Sequence, residues 1–98
     1  MFSKIFNRRA NKVWEHWYGE ADRAYDICDT EIERAAYGDR KSEYGWEIDY
    51  IRPKSHGGKS HMHNLRPLHW RNNDTRGDLS DGQWRLERAR SAQLSRVS

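Results

Sequence analysis

The chain reads as a single α+β domain: two short strands joined by a long loop and followed by a helix, with helical segments on either side. Three observations predict it. Residues Tyr44 to Ile51 alternate, with Tyr44, Trp46 and Ile48 on one side and Glu47 and Asp49 on the other, the two-residue period of a half-buried strand. Leu65 to Leu68 is a second short apolar run, separated from the first by a loop from Arg52 to His63 rich in Gly, Ser, Lys and His. Ninety-eight residues fit one domain, and a chain this short buries only a modest share of its surface.

Taken in order, Asn11 to Tyr18 places Val13, Trp14, Trp17 and Tyr18 at helical spacing ahead of Gly19, which predicts a short helix or an irregular docking arm. Residues 1–10 before it are expected to be disordered. Tyr25 to Ile32 is expected to be extended, Glu33 to Tyr37 a helical turn closed by Gly38, and Asp39 to Ser42 a polar turn. After the two strands, a helix runs from His69 or Trp70 to about Arg76 and stops near Gly77. Asp81 to Arg96 carries Trp84, Leu86, Ala89 and Leu94 among many arginines and predicts a further helix, with residues 92–98 expected to be disordered.

Hydrophobic residues make up 35% of the chain and charged residues 34%, a balance close to that of disordered chains, but five Trp and five Tyr supply large buriable surfaces. The charge is uneven. Residues 1–48 hold eight Lys/Arg against ten Asp/Glu, and residues 49–98 hold ten against five. Thirteen of the eighteen basic residues are Arg, whose planar fork suits phosphate oxygens, so a polyanionic partner is expected. Cys28 is the single cysteine, which rules out an intrachain disulfide and a Cys₄ zinc knuckle and makes a reducing, intracellular setting the expectation. No apolar run approaches the roughly 20 residues needed to cross a bilayer, and the basic start Lys4, Arg8, Arg9 is not followed by a signal-type apolar stretch. Neither export nor a membrane role is expected.

The most informative segment is Gly45 to Gly77, GWEIDYIRPKSHGGKSHMHNLRPLHWRNNDTRG. Asp49, Ile51, Pro53, Ser55, Gly57, Gly58, Asn64, Leu65 and Asn73 stand at fixed spacings that resemble the core of the HNH endonuclease family, a ββα-metal hairpin that cuts phosphodiester bonds with one divalent metal. A looser likeness extends upstream through Tyr37-Gly38. One position departs from the pattern: Tyr50 stands where the family has its catalytic His.

The resemblance implies a single HNH nuclease-like domain over residues 1–98, with its ββα-metal core at about 44–77. It also implies that Asp49 and Asn73 hold the metal, a hard carboxylate and an amide oxygen suited to Mg²⁺ or Mn²⁺, with Zn²⁺ able to take the same ligands in crystals. His69, four residues before Asn73 on the helix, is either a third ligand or a packing residue beside Trp70. Asn64 is assigned a supporting role, tying the loop to the hairpin. Tyr50 takes the general-base position. A neutral phenol, titrating near pH 10, is a poor base, so either adjacent cations lower its pKa or a metal-bound water acts without a protein base. A few restriction enzymes of the resembled family place Tyr in this role. The alternation of the strand sends Tyr50 away from Asp49 unless a twist or bulge intervenes. His56, His61 and His63 are each candidates for a replacement base or for binding a stray transition metal, His56 being the nearest in sequence to the site. Arg52, Arg66, Arg71 and Arg76 are expected to hold phosphates, contacts that position the backbone but read no sequence. Arg85, Arg88 and Arg90 would extend that footprint.

The leading expectation is a metal-dependent endonuclease that nicks DNA with low sequence specificity, a domain this small having little surface for reading bases. Two other readings stand beside it: a nucleic-acid-binding module of the same fold with catalysis weakened or lost through Tyr50, and a small structural domain whose histidines bind zinc. The oligomeric state stays open.

Overall fold

The computed structural model describes residues 7–97. The elements are α1 (Arg8–Tyr18), β1 (Arg23–Tyr25), β2 (Glu31–Glu33), β3 (Trp46–Tyr50), β4 (Leu65–His69), α2 (Trp70–Arg76) and α3 (Asp81–Val97), with single 3₁₀ turns at Arg34–Ala36, Lys54–His56 and Met62–Asn64. They form two separate two-stranded antiparallel sheets, β1 with β2 and β3 with β4. Among the described residues no helix is long and apolar enough to cross a membrane.

Helix α1 starts where Asn7 accepts a hydrogen bond from the amide of Ala10 (2.9 Å), a side-chain N-cap. Residues 8–10 are therefore helical, where the sequence predicted disorder; residues 1–6 lie outside the described residues. The buried side of α1, Ala10 and Trp14, packs with Ile32 of β2 and Trp46 of β3 into one core cluster, edged by Tyr18, Tyr37 and Ile48. Trp14 and Trp46 meet at 5.2 Å between ring centroids. Removing either ring would cost about 3–5 kcal/mol. Trp17, partly exposed, donates its indole N–H to the carbonyl of Leu65 (2.7 Å), which ties α1 to β4.

The segment predicted as one extended run, Tyr25 to Ile32, is instead a hairpin. Asp26 makes the turn: its Oδ1 accepts from the amides of Cys28 (2.9 Å) and Thr30 (3.0 Å), and Asp29 adopts φ of 59°, a left-handed conformation that Asp tolerates. The other oxygen, Oδ2, accepts from the amide of His69 and from Asn72 Nδ2, both at 2.9 Å, so this buried carboxylate fastens the hairpin to the start of α2.

β3 and β4 pair without a bulge, Trp46 opposite His69, Asp49 opposite Arg66, and Tyr50 opposite Leu65. The side chains of β4 are buried at every position. α1 covers one face of this hairpin, and α2 with α3 covers the other. α3 opens on a reciprocal cap: Ser80 Oγ accepts from the amide of Gln83 and Gln83 Oε1 accepts from the amide of Ser80, each at 3.2 Å. Its Trp84 is buried against the guanidinium groups of Arg66 and Arg76, 5.6 and 5.7 Å from the ring centroid. The helix continues to Val97, through residues predicted to be disordered.

Candidate active site

The loop end of the β3–β4 hairpin forms a pocket of about 190 Å³ whose walls include Asp49, Tyr50, Lys54, Asn73 and Arg76. Asp49 reaches it from β3 and Asn73 from α2. The amide nitrogen of Asn73 donates to Glu47 Oε1 (2.9 Å), and Glu47 is in turn forked by Arg40, Nε to Oε2 at 2.8 Å and Nη2 to Oε1 at 3.0 Å. Because Glu47 takes the amide N–H, the amide oxygen of Asn73 is left without a hydrogen bond among the described residues. Arg40 holds the Glu47 carboxyl below its usual range, with burial opposing and the Asn73 bond assisting. Arg40 also bonds Asp74 of α2 (3.0 Å), which closes a chain of contacts from the turn before β3 across to the helix.

Asp49 is 6% exposed. Its Oδ2 accepts from Arg66 Nε (2.8 Å) and from Arg76 Nη1 (2.7 Å), while Oδ1 accepts no hydrogen bond among the described residues. Burial pushes the Asp49 carboxyl above its usual range, and the two guanidinium groups limit the rise. Arg66 continues to Asp81 Oδ1 (2.8 Å), and Arg76 also donates to the carbonyls of Tyr50 (2.7 Å), Ile51 (2.6 Å) and Leu79 (3.2 Å).

These contacts overturn the phosphate-holding roles expected for Arg66 and Arg76. The two residues are 4% and 1% exposed, and their donors are committed to carboxylates and carbonyls inside the fold. They are internal ties, hidden because α3 lays Trp84 over that face. Arg52 and Arg71 are exposed. Arg52 uses one donor on the carbonyl of His56 (2.8 Å), and Arg71 lies over the Trp70 ring at 4.9 Å. Arg85 and Arg90 are exposed along α3, whereas Arg88 packs over Trp84 at 5.0 Å.

His69 is not brought to Asp49 and Asn73 as a third ligand. The imidazole is buried; Nδ1 accepts from the amide of Arg71 (3.0 Å) as the N-cap of α2, and Nε2 bonds the carbonyl of Glu43 (2.8 Å). With both ring nitrogens used, no lone pair is left for a metal. His56 is exposed and lines no part of the pocket. His61 and His63 stack on each other at 5.4 Å, and among the described residues no three His, Cys, Asp or Glu side chains gather as a metal-holding group.

Asn64 clasps the loop between the strands. Its Oδ1 accepts from the amide of Arg52 (2.8 Å), and its Nδ2 donates to the carbonyls of Arg52 (3.2 Å) and Lys59 (2.9 Å). The chain passes so close here that a Cβ at Gly58 would collide with the carbonyl of Arg52.

Since the pairing of β3 is unbroken through Tyr50, the Tyr50 side chain leaves the strand on the α1 face, opposite to Asp49. Its hydroxyl shares a hydrogen bond with Ser60 Oγ (2.7 Å) and accepts from Arg9 Nη2 (2.5 Å). Ser60 first, then Arg9, lowers its pKa from the usual phenol value.

The sequence reading missed Glu47 and Arg40 as orienters of Asn73. The signal was present: Glu47 shares a strand face with Asp49 two residues away. The free oxygens of Asp49 and Asn73 are hard donors that fit a small divalent cation keeping several waters, and the pocket has room for waters beside it.

No curated protein and no solved structure matched the chain. Residues 27–79, more than half of the chain, match the HNH endonuclease family, and they span the hairpin turn, the β3–β4 clasp and α2 just described. The chain thus belongs to the HNH endonuclease family, and its ββα unit is a nuclease-type domain for nucleic acid.

Proposed function

We propose that the protein is a divalent-metal-dependent endonuclease that nicks DNA with low sequence specificity, with Mg²⁺ or Mn²⁺ held by Asp49 and Asn73. One observation carries the reading: Asp49 and Asn73, each with a side-chain oxygen that accepts no hydrogen bond among the described residues and the amide oriented by Glu47, line one pocket at the loop end of the hairpin. A metal bound there would supply charge neutralisation at the scissile phosphate and help for the departing oxygen. Tyr50 holds the family's base position, its phenol biased towards the ionised form by Ser60 and Arg9. The side chain leaves β3 on the face opposite to Asp49, so a metal-bound water acting without a protein base stands beside it as the second route. Arg52 and Arg71 supply exposed backbone contacts. His69 and His56 have no part in the proposed chemistry. The single Cys28 supports an intracellular setting.

The test is supercoiled-plasmid nicking in Mg²⁺, Mn²⁺ or EDTA, comparing the protein with Asn73→Ala. Asn73 makes one side-chain hydrogen bond, so this variant removes a ligand with little damage to the fold. Nicking that needs metal and vanishes in Asn73→Ala supports the reading. Equal nicking by both proteins would overturn the site.

A second reading has one observation in its favour. Tyr50 and Asp49 lie on opposite faces of β3, which suits a nucleic-acid-binding module that has lost catalysis. Its signature is salt-sensitive DNA binding with no cleavage in any divalent metal.

A further inference from the structure

Among the described residues, the buried cations each have a carboxylate partner. Arg34 pairs with Glu15, Arg66 with Asp49 and Asp81, and Arg76 with Asp49. At the loop end of the hairpin the pattern reverses. Arg9 of α1 donates to the Tyr50 hydroxyl at 2.5 Å and its guanidinium carbon lies 5.6 Å from the ring centroid. Lys54, from the turn after β3, brings its ammonium to 4.9 Å from the same centroid. Ser60, from the far side of the loop, meets the hydroxyl at 2.7 Å. Neither Arg9 nor Lys54 has a carboxylate partner among the described residues. Two cations, a serine hydroxyl and a phenol from four separate segments thus converge with no carboxylate between them among the described residues.

Two like charges brought to one aromatic ring repel each other, and each ring–cation attraction at an exposed site is worth only about 0.5–1 kcal/mol. An anion placed among them would relieve the repulsion and take hydrogen bonds from guanidinium, ammonium and hydroxyl donors. The cluster adjoins the pocket of Asp49 and Asn73, for Tyr50 and Lys54 are among its lining residues, although the Tyr50 ring leaves β3 on the other face.

We propose that Arg9, Lys54 and Ser60, gathered around Tyr50, form a phosphate subsite that holds a backbone phosphodiester of the nucleic acid entering the Asp49–Asn73 pocket. This deepens the nuclease reading and rests on it for the identity of the ligand. The subsite holds the strand and does not itself break a bond. It also gives α1, a helix upstream of the residues that match the family, a share in the substrate contact.

The experiment is fluorescence anisotropy with a labelled duplex oligonucleotide in EDTA, over a series of salt concentrations, so that cleavage plays no part. Arg9→Gln and Lys54→Gln are each expected to weaken binding and to reduce the slope of log affinity against log salt by about 0.9, the loss of one phosphate contact. Arg9→Lys, which keeps the charge, is expected to restore the slope. Lys41→Gln, an exposed lysine in the turn before β3, is expected to leave it unchanged. Unchanged slopes in Arg9→Gln and Lys54→Gln with a lowered melting temperature would mean that the cluster is only a structural tie, and would overturn the subsite. An equal loss in Lys41→Gln would mean diffuse surface charge and would overturn it too, as would a protein that binds no DNA. A protein that shows the slope changes but never nicks would keep the subsite and lose the nuclease reading; one that nicks with unchanged slopes would do the reverse.

Discussion

Glu47 accepts the amide N–H of Asn73 at 2.9 Å and thereby decides which end of that amide faces the pocket. Partners of metal ligands in this position typically affect metal affinity or activity by about 10- to 100-fold. Glu47→Ala is expected to raise the half-saturating Mn²⁺ concentration for nicking by about tenfold or more, with DNA binding in EDTA unaltered. A metal titration of nicking checks this, and an unchanged midpoint would remove Glu47 from the site.

Asp49 is both a candidate ligand and the charge that two buried arginines share. Asp49→Ala leaves Arg66 and Arg76 without it, and breaking a buried pair from one side costs about 3–5 kcal/mol. Chemical denaturation is therefore expected to show a large loss of stability alongside the loss of nicking. Asn73→Ala is expected to lose nicking with less than about 1.5 kcal/mol of destabilisation, one hydrogen bond's worth.

Asp81 ties α3 to Arg66 at 2.8 Å. Burial pushes its carboxyl up, but the Arg66 hydrogen bond and the nearby Arg76 and Arg85 charges outweigh burial and leave it below its usual value. A depressed folded-state pKa contributes stability above the unfolded value, about 3.9, which is lost as the pH falls through the folded value. Wild type is expected to melt above Asp81→Asn at pH 7, and the gap should close as the pH drops below about 4. A gap that persists at low pH would show that the charge is not what holds α3.

Tyr50→His replaces a phenol with a group that titrates near neutral pH. General-base catalysis contributes about 10²- to 10⁴-fold, so plasmid nicking at pH 7 is expected to accelerate by about 10-fold or more, while Tyr50→Phe slows it. No change in either variant would mean that no protein base acts at this position.

The hairpin, its loop and α2 were legible because their signals are local: alternation around Trp46 and Ile48, glycines at a crowded loop, and Gly77 at the helix stop. Of the site, spacing brought Asp49 and Asn73 to one pocket, while their proposed role as ligands stays with the experiment. Arg66 and Arg76 were misread because an arginine's direction depends on what covers it, and the covering ring, Trp84, comes from a helix that spacing alone did not dock. Of the two roles that the sequence left open for His69, the structure shows the packing one, stacked on Trp70 at 5.6 Å. Its four-residue offset from Asn73 suits one helix face, but it stands at the N-cap, where its ring turns back to serve the backbone. The hairpin at Asp26 was missed because its turn is made by a carboxylate rather than by a Gly or Pro.

That Asp26 carboxylate has a practical consequence. Four N–H donors from the hairpin turn, β4 and α2 meet on its two oxygens. These bonds, with that of Asn72 to Thr30, help to join the hairpin to the helix that carries Asn73, and none of them is something a chelator can extract. If the proposed metal dependence holds, EDTA would remove the cation and leave these bonds in place, so the metal-free protein serves as the reference for every binding curve.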